Sequence, residues 1–173
     1  MLQTIATYRE GRVKTYGFQV AGDLALFEVR LPARLIAPFA EKIYGLAEFH
    51  PVFYLVAAYI SFDGLCTAYI LIPAKEEKDF LKRVASSGEF EESKTILVTS
   101  PVDLIYFQGP HYGDRYGIAE TALNTLAQAS IPVLMTACSQ SCIYLVLAEG
   151  GGPKARKSLA KVFEVPHRRP PSR

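Results

Sequence analysis

Apolar and polar residues along this chain follow two periods, and each change of period marks a boundary between elements. From Leu24 to Leu31 the period is two. Leu24, Leu26 and Glu28 share one face of a predicted strand, and Ala25, Phe27, Val29 and Leu31 share the other, the better core face. After Pro32 the period lengthens, and Leu35, Ile36, Phe39, Ala40, Ile43, Leu46 and Ala47 recur at three- and four-residue spacing. That is an amphipathic helix, with Pro38 tolerated only in its first turn. Phe49-His50-Pro51 ends it. Val52 to Phe62 reads as a long, tyrosine-rich strand, Asp63-Gly64 as a hairpin turn and Thr67 to Ile72 as the returning strand. Pro73 stops that strand, and Glu76 to Ala85 forms a charged helix presenting Phe80, Leu81 and Val84 to a core.

The same order then repeats. Thr95 to Thr99 and Val102 to Gln108 read as strands, and Gly117 to Ala129 as a helix with Ile118, Ala119, Ala122, Leu123, Leu126 and Ala127 as its apolar stripe. Ile131 to Ala137 and Cys142 to Leu147 are hairpin strands joined through Ser139-Gln140-Ser141, and Lys154 to Phe163 is the last helix. This is a diverged duplication of a β-α-β-β-α unit. The predicted fold class is α+β: two ferredoxin-like βαββαβ units in tandem. Thr95 to Thr99 supplies the fourth strand of the first unit. Val165 to Arg173 is proline-rich and basic, so the second unit is expected to take its fourth strand from the first twenty residues, where a hairpin around Glu10-Gly11-Arg12 is expected. Residues 1–99 then form the first unit, 100–165 the second and 166–173 a basic tail, with the units interleaved through the N-terminal strand.

Half the residues are hydrophobic and about a fifth are charged, a globular balance. The net charge of +2, much of it in the tail, gives no case for nucleic acid. Phe53 to Ile60, the longest apolar run, is too short to span a bilayer, so no membrane partner is expected. Charges between Thr4 and Lys14 stand where a leader would be apolar, and a cytoplasmic protein is expected. Cys66, Cys138 and Cys142 make no C-x-x-C pair and fit a reducing compartment. Cys138 and Cys142 read as small buried side chains in adjacent strands rather than a redox or metal pair. No metal and no cofactor is expected.

Candidate chemistry gathers in the loop Gly109-Pro110-His111-Tyr112-Gly113-Asp114-Arg115-Tyr116-Gly117, between an apolar strand and the helix that Ile118 enters. A helix N-terminus offers unpaired N–H groups and a positive dipole end, both suited to a carboxylate. Gly109, Gly113 and Gly117 let the backbone come close to a ligand. Asp114 suits an ammonium group, His111 and Arg115 suit an anion, and Tyr112 and Ile118 complete the candidate ligand-binding set. Ser139 and Ser141 add hydroxyls if the hairpin turn of one unit faces the loop of the other. Each residue also has a plain structural role, Asp114 as a cap and the serines as turn residues. The loop lacks the G-x-x-x-x-G-K-[ST] pattern, so nucleotides are not expected. Its counterpart in the first unit, Leu31-Pro32-Ala33-Arg34, is short and has no glycine, so one kind of ligand site per chain is expected. The second wall of that site would come from the first unit or from another protomer.

Val102 to Gly109, Gly117-Ile118-Ala119, Ala129-Ser130-Ile131-Pro132-Val133, Ser139 to Leu147 and the closing Val162-Phe163 together resemble an ACT domain. This is the small ligand-sensing module of amino-acid metabolism, and the likeness is to the paired ACT domains of aspartate kinases. At Pro132 the resemblance implies a polar residue instead. It implies a non-catalytic regulatory protein that binds an amino acid, forms a homodimer and passes its state to an enzyme partner, without the kinase domain. Two other readings stand beside it. One is a ligand-independent interaction subunit of a separate biosynthetic enzyme. The other is a small ferredoxin-like enzyme using His111, Asp114 or Cys138.

Overall fold

The computed structural model describes residues 12–47, 53–85, 95–110, 112–113 and 115–165. The chain divides into a continuous unit, Asp23–Val102, and a split unit that joins Met1–Gly22 to Asp103–Arg173. Two long strands, β2 (Phe18–Pro32) and β5 (Thr95–Gln108), each run across a boundary between them. β1 is the short Val13–Lys14.

In the continuous unit β2 is followed by α1 (Ile36–Ala47), β3 (Leu55–Ile60), β4 (Leu65–Pro73) and α2 (Glu77–Ala85), and β5 closes it. The strands lie in the order β3-β4-β2-β5, the ferredoxin-like arrangement, with β4 antiparallel to both neighbours. Phe27 stands opposite Ile70, Val29 opposite Ala68 and Leu31 opposite Cys66, so one sheet face is apolar. Phe39, Ile43 and Leu46 of α1 and Phe80 and Val84 of α2 close on that face. Phe27 and Phe80 meet edge-on at 4.8 Å. Leu24 and Leu26 are buried as well, so this part of β2 is covered on both faces.

Both helices of this unit begin alike. Pro32 and Pro73 hold extended backbone, and a 3-10 turn, Ala33–Leu35 or Ala74–Glu76, leads straight into the helix. Proline sets φ for such a start and brings no N–H that would need a partner. The β3–β4 turn closes through Ser61 N–H to the Leu65 carbonyl at 2.8 Å. The Asp63 carboxylate there accepts from the Ser61 hydroxyl and the Leu65 N–H. That turn stops β3 at Ile60, short of the expected Phe62.

The split unit uses the Phe18–Gly22 stretch of β2, β5 from Asp103, α3 (Ile118–Gln128), β6 (Val133–Cys138), β7 (Cys142–Ala148) and α4 (Gly151–Leu159). Its strand order, β2-β5-β7-β6, is the same ferredoxin-like one, with the N-terminal strand in the fourth place. Phe18, Phe107 and Phe163 pack together at 5.1 to 6.2 Å. Ile118, Ala122 and Leu126 of α3 and Ala155 and Leu159 of α4 cover them. Burying each such large side chain contributes about 1.5–3 kcal/mol. The last helix ends at Leu159, and Phe163–Glu164 (β8) pairs in parallel with β1.

Two boundaries differ from the pattern-based ones. Thr95 to Thr99 and Val102 to Gln108 are one strand, with Pro101 inside it. α4 starts at Gly151 rather than Lys154, because the Gly152 N–H donates to the buried Asp103 carboxylate at 2.8 Å. A Cβ at Gly152 would stand 2.6 Å from Val20 and 3.1 Å from Asp103, so only glycine lets the helix start reach that carboxylate. The acid then sits on the positive end of the helix dipole. The expected turn at Glu10-Gly11-Arg12 lies outside the described residues except for Arg12. No described helix is long and apolar enough to cross a membrane.

Candidate functional site

β5 ends at Gln108 and α3 starts at Ile118, and the loop between them is shaped by what its glycines touch. Gly109 is wedged in place: a Cβ there would stand 2.3 Å from both the Lys14 carbonyl oxygen and the Tyr112 ring. The half-buried Tyr112 ring lies edge-on against Phe107 at 6.2 Å. Its hydroxyl is buried and makes no hydrogen bond, although Thr15 is near. The Thr15 hydroxyl instead donates to the Gln108 carbonyl at 2.8 Å. Burial is the main cause that pushes the Tyr112 phenol above its ordinary range.

Gly113 brings the loop against the β6–β7 turn. A Cβ there would stand 2.7 Å from Gln140 Cγ and 3.2 Å from the Gln140 carbonyl oxygen. Gln140 lies between Ser139 and Ser141, so loop and turn adjoin within the split unit itself. The Ser139 hydroxyl accepts from the Cys142 N–H at 3.1 Å and shapes the turn, while Ser141 is exposed. Gly117 takes the left-handed conformation at φ 82° just before α3, and no side chain caps that helix. The Gly117 carbonyl accepts from the Thr121 N–H and hydroxyl at 2.9 and 2.8 Å. Ile118 is buried in the core, so toward the loop it offers its backbone. His111 and Asp114 lie outside the described residues.

Arg115 lines a hollow of about 330 Å³ together with Arg12, Val13, Thr121, Lys161 and Val162. Three cations around one concavity suit a carboxylate or another small anion. Arg12 and Lys161 have no place in the sequence reading. They come from the N-terminal segment and the stretch between α4 and β8, and only the β1–β8 pairing places those segments side by side. A second hollow, about 610 Å³, is lined by Leu123, Ala127, Ser130, Ile131, Pro132 and Val133. It is apolar, and Pro132 stands in it where the resemblance implies a polar residue.

Cys138 is exposed, not buried as expected; it pairs in register with Ile143 at the turn end of the hairpin. Partial burial and the neighbouring Cys142 push its thiol up, which leaves it protonated and weakly nucleophilic at neutral pH. All three cysteines are free. Among the described residues no group of three His, Cys, Asp or Glu side chains could hold a metal.

No family model and no curated protein matches the chain. Solved structures do. The regulatory subunit of aspartate kinase from Thermus flavus superposes with a TM-score of 0.73 at 10% identity, over 86% of this chain and 98% of that one. The ligand-free regulatory subunit from Thermus thermophilus gives 0.71 at 13%, over 90% and 100%. Aspartate kinase from Synechocystis gives 0.70 at 16%, over 93% of this chain and 29% of that one. The fold is that of aspartate kinase regulatory subunits, as the likeness to paired ACT domains implied.

Proposed function

We propose that this protein is a non-catalytic regulator in amino-acid metabolism that binds an amino acid at the loop of its split unit. The observation that carries the reading is the approach to α3, where a glycine-rich loop, a helix start with no side-chain cap and three cations lie together. The carboxylate of the ligand meets Arg115 and the N–H groups at Gly117 and Ile118, with Arg12 and Lys161 adding positive potential. Gly109 keeps the loop close to Lys14 and Gly113 keeps it close to the turn, Tyr112 anchors it, and Ser139 and Ser141 form its polar border. His111 and Asp114 complete the set, Asp114 for the ammonium group. The protein acts in the cytoplasm as a homodimer and passes its ligand state to an enzyme partner. The fold shared with regulatory subunits of aspartate kinase supports this reading.

Calorimetric titration of the full chain at about 100 µM against the proteinogenic amino acids tests it. One or a few of them are expected to bind with micromolar affinity, and Arg115→Ala should weaken binding at least tenfold while leaving the circular dichroism unchanged. No heat from any amino acid overturns the reading.

A further inference from the structure

The net charge of +2 hides an uneven distribution. The split unit has eleven Lys and Arg against six Asp and Glu, and the continuous unit has eight against eleven. The split unit therefore stands at +5 and the continuous unit at −3. From Gly150 to Lys161 the imbalance is complete: Lys154, Arg156, Lys157 and Lys161 occur there without an acid. A field of that sign draws anions to the split unit and concentrates them in a concavity of its surface.

The hollow beside α3 is such a concavity. It holds about 330 Å³, at the small end of the range of about 300–1,000 Å³ for ligand pockets, and so suits a small metabolite. Among the described residues that line it are three cations, Arg12, Arg115 and Lys161, and no acid. Glu120 belongs to the same turn as Thr121 but reaches toward Gly117, its Oε2 3.9 Å from where a Cβ would stand there. Two of the cations are held by the β1–β8 pairing. Val13 stands opposite Phe163, both buried, and the Thr15 N–H donates to the Glu164 carbonyl at 2.9 Å. Arg12 and Lys161 lie one and two residues before that buried pair, so the backbone fixes where their side chains start. The Thr121 hydroxyl donates to the Gly117 carbonyl at 2.8 Å, which leaves recognition in the hollow to the charged groups. The α-carboxylate of an amino acid, set against Arg115 and the start of α3, gives Arg12 and Lys161 no counter-charge, and the ammonium group repels them. A second carboxylate on the ligand removes that imbalance, through charge-assisted hydrogen bonds roughly twice as strong as those an amide would make.

We infer that the ligand is an amino acid with an acidic side chain, whose second carboxylate is bound by Arg12 and Lys161. This rests on the proposed amino-acid site and names its ligand class. Calorimetric titration of the full chain at about 100 µM with L-aspartate, L-asparagine, L-glutamate and L-glutamine tests it, because each acid and its amide differ little except in charge. One of the two acids should bind at least tenfold more tightly than its amide, and the preference should shrink as salt rises from about 50 to 250 mM. Lys161→Gln should bring acid and amide to within threefold of each other with unchanged circular dichroism. Arg12→Gln gives the same readout if Lys161→Gln fails to fold. An amide that binds as tightly as its acid, or a preference that survives both substitutions, overturns the acidic ligand and keeps the amino-acid site. Heat only from amino acids without an acidic side chain does the same. No heat from any proteinogenic amino acid overturns both.

Discussion

The two units share one strand order and differ in how their helices begin. In the continuous unit, proline and a single 3-10 turn join strand to helix at both α1 and α2. In the split unit both helices start from a left-handed glycine, Gly117 at φ 82° and Gly150 at φ 71°. The first device is rigid and leaves no space, for Ala33 N–H is already bonded to the Gly64 carbonyl at 2.8 Å. The second leaves helix N-termini open to a partner from elsewhere. α4 takes its partner from Asp103, and α3 lines the cationic hollow through Thr121 in its first turn. One unit thus closes its helix starts, and the other has a hollow beside one of them.

The cores offer the strongest way to break this contrast. Phe80→Ala and Phe107→Ala each remove a fully buried ring and should each cost about 3–5 kcal/mol in denaturant titrations. Only Phe107→Ala also removes the ring against which Tyr112 packs, so amino-acid binding should be lost there and retained in folded Phe80→Ala protein. Equal loss of binding in both variants would mean that the units do not divide structure and recognition.

A smaller effect separates the two second helices. α2 carries Glu77 and Asp79 in its own first turn, whereas α4 has no acid there and relies on Asp103. Asp103→Ala should cost about 1–2 kcal/mol and speed amide exchange in α4. Glu77→Ala should cost about 0.5 kcal/mol or less, the same denaturation midpoints serving for both.

The smallest difference lies between the hairpin turns. The Ser61 hydroxyl, then the Leu65 N–H, holds the Asp63 carboxyl below its ordinary 3.8. A depressed carboxyl stabilises the fold at and above the ordinary value, and that contribution disappears as pH falls through the folded value. Acid titration followed by NMR should therefore shift the Leu65 amide below pH 3.8. The Cys142 amide, bonded to the Ser139 hydroxyl, should not follow that titration. Asp63→Asn should abolish the Leu65 response.

The residues that carry the fold were legible because their spacing is a local property. Ala25, Phe27, Val29 and Leu31 alternate, Ile118, Ala122 and Leu126 recur at helical spacing, and each set is buried where its period placed it. Proline and glycine misled in particular places. Pro101 fell between two expected strands and lies within β5, and Gly151 and Gly152 preceded the expected helix and form the first turn of α4. Propensity opposes both assignments, and contacts distant in sequence override it.

The glycine-rich loop was visible as a candidate from its composition alone, but its surroundings were not. The sequence by itself determined the duplicated β-α-β-β-α order, the apolar faces and the inequality of the two helix approaches, because all three depend on neighbouring residues. Only the tertiary structure decided that Gln140 meets Gly113, that Arg12 and Lys161 join Arg115, and that Asp103 starts α4. Each of these joins residues far apart in the chain, and no local periodicity encodes such a pairing.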